Sequence, residues 1–145
     1  MADAQSVGVQ FVEAFNAHDE QRIRALNAED GVLEAPGDVQ LQGREAATEY
    51  AMAWLNAFPD ARITVNHELV AGDWVVQEFT FEGTHGAPMQ TPMGEIPPTN
   101  RSLKGRGVQV FKVEGDAVVD TRLYFDQVEV MTQLGLMPEP AATTA

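Results

Sequence analysis

The sequence predicts an α+β domain, a cone-shaped α+β barrel in which a strongly bent antiparallel sheet wraps around N-terminal helices. Three observations carry this. Apolar residues recur at helical spacing up to about residue 58, and from residue 61 they mostly alternate with the two-residue period of strands. No internal repeat or second core divides the 145 residues, which suit a single domain spanning 1–145.

Val7, Phe11 and Phe15, with Ala14 beside them, mark one face of a first amphipathic helix, and NAHD (16–19) breaks it. Asp19 is placed to cap a short second helix that buries Ile23 and Leu26. Gly31 to Glu34 reads as a brief strand ended by Pro36-Gly37. A third helix is expected from about Arg44 to Phe58, with Tyr50, Trp54 and Phe58 along one side and Pro59-Asp60 as its stop. In 61–71, Ile63, Val65, His67 and Leu69 share one face of a strand. In 74–85, Val75, Gln77, Phe79 and Phe81 share one face, with Glu78, Thr80 and Glu82 on the other. Residues 86–102 hold Pro88, Pro92, Pro97 and Pro98 and read as a long loop. Residues 103–113 and 117–125 form a hairpin across Glu114-Gly115-Asp116-Ala117. A short helix from Gln127 to Leu134 ends at Gly135, and a frayed tail is expected over about 138–145. Asp126 with Glu129 fits D-x-x-E, which makes Asp126 a helix cap.

Composition narrows the function classes. With no cysteine there is no disulfide framework, thiolate nucleophile or cysteine metal site. The formal net charge of -13, from 22 acids against 9 bases, repels phosphate backbones and anionic surfaces, which argues against nucleic acid and membrane as partners. MADAQSVGVQ carries neither a basic nor an apolar leader segment, and no window approaches the roughly 20 apolar residues of a membrane span. A soluble, cytoplasmic protein is the expectation.

The cone should hold a hydrophobic small molecule. Tyr50, Trp54, Phe79, Phe81, Phe111 and the loop residues Met89 and Met93 have core-like spacings, and those nearest the open end would form an aromatic wall. A two-residue turn at Gly115-Asp116 pairs Val113 with Val118, and counting back, for strands without a bulge, pairs Gln109 with Arg122. Gln109 could then face the pocket to orient a carbonyl, and Arg122 either faces it to neutralise an acid or lies exposed on the surface. His85, in GTHG, is a candidate acid/base near neutral pH, or the holder of a turn through a ring hydrogen bond. His67 reads as a packed or interface side chain and His18 as a turn residue. No two histidines have metal-ligand spacing, so no metal is expected. There is no G-x-S-x-G, phosphate loop or nucleotide fingerprint, so no cofactor is expected either.

FVEAFNAHD near the start, GTH at 83–85, PPTNR at 97–101, GRGVQVFKVEGDAV in the hairpin and YFDQVEVMTQLG near the end resemble the SnoaL-like polyketide cyclase family, within the ketosteroid-isomerase-like superfamily. The resemblance runs from about residue 7 to 137. It implies cyclases that close a ring by intramolecular aldol condensation without metal or cofactor, alongside many predicted ester cyclases. Their catalytic Asp lies three residues before a second Asp, here Asp126, so the resemblance puts that position on Leu123. It likewise puts a pocket His on Gln109, a pocket Gln on Gly107, a pocket Asn on Glu34, and two stereochemistry-shaping positions on Phe15 and Tyr50.

On that alignment Glu34, in GVLEAPG, is either a desolvated general base inside the cone or an exposed strand-end acid. Gln109 or His85 would polarise a substrate oxygen. Phe15, Tyr50, Trp54, Phe79, Phe111, Arg122 and Leu123 complete the expected binding wall. The first reading is therefore a cofactor-independent cyclase or isomerase acting on a hydrophobic, carbonyl-bearing substrate. The alternative is a binding or accessory protein that kept the pocket without catalysis. An epoxide hydrolase or dehydratase ranks last, because no Asp-Arg-Asp set assembles around Arg106 or Arg122. Superfamily members commonly pair their sheets, and Val65 and Val110 are expected on an exposed face, so a homodimer is expected.

Overall fold

The structure, a computed structural model, describes residues 3–91 and 94–138; Met93 and the tail 139–145 lie outside the described residues. Helix α1 (Ala4–Asn16) starts at Asp3, whose carboxylate accepts the Ser6 N–H, and buries Val7, Ala14 and Phe15. Asp19 caps α2 (Glu20–Leu26) through the Arg22 N–H, and Ile23 and Leu26 are buried as their spacing requires. The strand read as 31–34 is longer, β1 (Asn27–Ala35), and turns through Gly37 and Asp38, both at positive φ, into β2 (Val39–Gln42). Helix α3 (Arg44–Ala57) follows.

Strands β3 (Arg62–Ala71) and β4 (Trp74–Thr84) form a hairpin. The proline-rich segment is not structureless: β5 (Met89–Thr91) and β6 (Gly94–Ile96) pair in it, with Met89 buried. Strands β7 (Ser102–Glu114) and β8 (Ala117–Phe125) close the main sheet, and α4 (Gln127–Gln133) begins at Asp126. Asp126 accepts the Glu129 N–H at 3.1 Å from an exposed position, as a cap does.

The six-stranded sheet has the order β2-β1-β8-β7-β4-β3, and it is antiparallel except where β1 runs parallel to β8. Helices α1 and α3 cover its inner face, and Val7, Phe15, Leu55, Phe58, Val75 and Phe111 meet between them. Phe58 and Phe111 are fully buried, each a contribution of about 2 kcal/mol by apolar burial. No helix among the described residues is long and apolar enough to cross a membrane.

Two bulges change which residues face inward. In β3 the register slips between Val65, paired with Phe79, and His67, paired with Glu78. Simple alternation put His67 and Leu69 on the face of Ile63. The slip instead exposes both, with Leu69 at 70% exposure, and turns Glu68 in beside Gln77. In the last hairpin Val113 does pair with Val118, but Lys112 then pairs with Asp120. The extra residue makes Leu123, and not Arg122, the partner of Gln109.

Candidate functional site

Between the sheet and α1 and α3 lies an apolar cavity with a volume of about 100 Å³. Its deep end is the fully buried Phe111, with Ile63, Phe79 and Gln109; its open end has Gly105, Leu123 and Phe125. The aromatic wall is held by edge-to-face and tilted ring contacts. Trp54 meets Phe81 at 5.6 Å and Phe125 at 5.5 Å between ring centroids, and Phe11 meets Phe111 at 5.0 Å. Phe15, Tyr50, Trp54, Phe79, Phe111, Leu123 and Gln109 all line this space, so the structure brings these expected residues together.

Three others it does not. Glu34 lies on the outer face of β1, exposed and paired in register with Gln40 and Arg122. Gly31 and Leu33 take the inward phase, and with a period of two that sends Val32 and Glu34 out; Leu33 lines the cavity where Glu34 was expected. Arg122 is also outside, sent there by the β8 bulge. Its guanidinium approaches Asp120 at 3.4 Å and lies over the Trp74 ring at 5.8 Å from the centroid. His85 is fully buried but does not line the cavity. It stacks on Phe58 at 5.3 Å, and its Nδ1 accepts the Thr99 N–H at 3.2 Å and lies 3.0 Å from the Thr99 hydroxyl. The Asn100 N–H donates to the His85 main-chain carbonyl, and the His85 main-chain N–H to the Arg101 carbonyl, so backbone and ring of His85 together pin the returning end of the 86–101 segment. With Nδ1 accepting, the proton of the neutral ring sits on Nε2, which has no partner among the described residues. Burial pushes the His85 imidazole below its ordinary value.

The hydrogen-bonding side chains that do line the cavity include Gln109, Tyr50, Asn27 and Thr121. Burial raises the Tyr50 phenol, opposed by its bond with Trp54, so it stays a protonated donor across the neutral range. Asn27 donates to the Ile23 carbonyl at 3.0 Å, and its own carbonyl accepts from Arg44 Nε at 2.8 Å. Asn27 was missed because it ends α2 and begins β1, where neither periodicity speaks. Thr121 follows from alternation with Leu123 once the bulge is known. Arg106 also borders the cavity, from an exposed position in register with Thr80.

The family model for SnoaL-like polyketide cyclases matches residues 6–134. The chain belongs to that family. This SnoaL-like chain superposes on a candidate SnoaL-like polyketide cyclase from Jannaschia sp. CCS1 with a TM-score of 0.81, at 20% identity and 93% coverage of each chain. IdmH, a candidate polyketide cyclase from Streptomyces antibioticus, gives a TM-score of 0.76 at 26% identity, covering 92% of this chain and 99% of the other. An LEH-like epoxide hydrolase from M. tuberculosis gives 0.70 at 18% identity, covering 90% and 88%, so the fold is shared with an epoxide hydrolase. No curated protein sequence matches the chain.

Proposed function

We propose that this SnoaL-like protein binds a flat, hydrophobic small molecule in the aromatic cavity and acts as a binding or accessory protein on the cyclase scaffold. One observation carries the reading: among the described residues, no carboxylate and no imidazole lines the cavity. Abstraction of a proton next to a carbonyl needs a base within hydrogen-bond reach of that carbon. Glu34 is on the far side of the sheet from the ligand space, His85 is sealed behind Phe58, and the position implied for a cyclase acid is Leu123.

A catalytic reading keeps one support. Tyr50 presents a protonated phenol to the cavity, a donor able to stabilise a developing enolate oxygen. Two measurements separate the readings. Calorimetry with 2-naphthol and 2-methoxynaphthalene is expected to show saturable binding that Leu123→Trp abolishes by filling the cavity; no saturable binding of either compound would sink the binding reading. Deuterium exchange at the α-carbon of 2-acetylnaphthalene, followed by NMR, is expected to run at the buffer rate. Exchange that the protein accelerates and Tyr50→Phe removes would move the enzyme reading ahead.

A further inference from the structure

Behind the cavity floor lies a chain of side chains that the binding reading does not use. Gln77, fully buried, accepts from Gln109 Nε2 at its Oε1, at 2.8 Å. Gln77 Nε2 in turn donates to Glu68 Oε2 at 2.9 Å, and the other Glu68 oxygen accepts from Gln5 at 3.2 Å. The β3 bulge is what turns Glu68 inward to meet Gln77. Gly8 of α1 closes over the pair, and a β-carbon there would come within 3.0 Å of Gln77 Nε2.

The direction of this chain is fixed from its outer end. A carboxylate accepts and cannot donate, so Gln77 must turn its NH₂ toward Glu68 and its oxygen toward Gln109. Gln109 must then turn its NH₂ toward Gln77. Its Oε1 is left with no protein partner among the described residues. That atom is not sealed in either, because His85 Nε2 is the one buried side-chain polar atom without a partner among the described residues. Since Gln109 lines the cavity, its free carbonyl oxygen is displayed to the ligand space. Sequence alone suggested the reverse, a Gln109 that donates to a ligand carbonyl. Thr121, a diagonal neighbour of Gln109 on the inner face, adds a hydroxyl able to donate.

We propose that Glu68, acting through Gln77, is a positioning residue that holds the Gln109 carbonyl toward the cavity, and that the cavity thereby selects hydroxylated aromatic ligands over their ether or carbonyl counterparts. A ligand hydroxyl donates to Gln109 Oε1 and accepts from Thr121, whereas an ether oxygen set against Gln109 Oε1 leaves two acceptors facing each other. The proposal rests on the binding reading above.

The test is calorimetric affinity for 2-naphthol against 2-methoxynaphthalene in the wild type, Glu68→Gln and Gln109→Met. The wild type should prefer the naphthol about tenfold, the value of one net hydrogen bond. In Glu68→Gln the new amide can present either its oxygen or its NH₂, so Gln77 and Gln109 are free to flip and the preference should fall to about twofold or less. Gln109→Met should also lose it. A role for Glu68 in stability alone would weaken both ligands equally and leave their ratio unchanged; that result overturns the proposal. So does a wild type that binds both equally or prefers the ether, which leaves the binding reading standing. If neither compound binds, the binding reading and this proposal fall together.

Discussion

Leu123 stands directly opposite Gln109 across the β7–β8 ladder, with both side chains on the cavity face. An acid at this position would face the ligand space; leucine leaves it apolar. Leu123→Asp should therefore be costly, by about 3 kcal/mol or more near neutral pH, from lost packing and a desolvated charge. Burial would raise the new carboxyl above its ordinary value of about 4. The folded state then holds the proton that the unfolded state has released, so stability falls as pH rises through that window. Denaturant unfolding of the variant at about pH 4.5 and 7 checks the sign; a variant more stable at the higher pH than at the lower, relative to wild type, contradicts it.

His85 carries the opposite dependence. Its folded value is held below the ordinary histidine value of about 6.5, so on acidification the unfolded chain takes up the proton first. The stability present above about pH 6.5 is lost as pH falls from there toward the folded value. His85→Gln should lose about 1 kcal/mol at neutral pH, where the Thr99 contact is weakened, but show a flatter decline between about pH 7.5 and 5.5. Equal slopes in the two proteins would show that His85 does not set this dependence.

Gly107 has no room for a side chain. A β-carbon there would lie 2.7 Å from Phe79 Cζ and 3.1 Å from the Tyr124 carbonyl oxygen. The ring can swing but the backbone cannot, so Gly107→Ala should cost about 1–3 kcal/mol and push Phe79 into the cavity. Thermal unfolding and naphthol affinity should fall together; an unchanged melting temperature would refute the packing argument.

The cap at Asp126 makes the mildest of these predictions. Asp126→Asn keeps an acceptor for the Glu129 N–H and should be neutral, whereas Asp126→Ala should lose about 1 kcal/mol. Loss of ligand binding in a folded Asp126→Asn protein would give this residue a role beyond the cap.

We expect a homodimer in solution, on altered grounds. Val65 points inward beside Phe79, so it offers no docking surface, but Leu69 and Tyr124, on the outer face of the sheet, are 70% and 55% exposed. Light scattering at micromolar concentration should give twice the chain mass of 15.8 kDa; a particle of that mass itself would refute the expectation.

Helices α2 and α4 were legible through their ends: Asp19 before Ile23 and Leu26, Asp126 before Glu129, and Gly135 after α4. Helices α1 and α3 were legible through apolar periodicity, α3 starting at Gly43 with no side-chain cap. The aromatic wall was legible for a related reason, since Tyr50 and Trp54 lie one helical turn apart and Phe79 and Phe81 two strand residues apart. The polar part of the site was not. A single extra residue in β8 exchanges Arg122 for Leu123, and one in β3 exchanges His67 for Glu68. Bulges leave little trace in composition, yet each reverses the facing of every residue beyond it. Glu34 failed by one residue of phase, with Gly31 and Leu33 as the inward set. The short strands β2, β5 and β6 carry too few residues for an alternation to be read.

The parallel pairing of β1 with β8 joins residues as far apart as Leu33 and Thr121. A ribosome delivers β1 long before its partner exists, and in the interval β2 covers one edge of β1 while the edge that β8 will pair stays open. The ligand space cannot close until β8 is made, because Thr121, Leu123 and Phe125 are one of its walls. Contacts of such long sequence separation form late and slowly. Nascent chains released before residue 117 should therefore expose the aromatic faces of α1 and α3, and chaperone contact with this protein should concentrate in that last stretch of its synthesis.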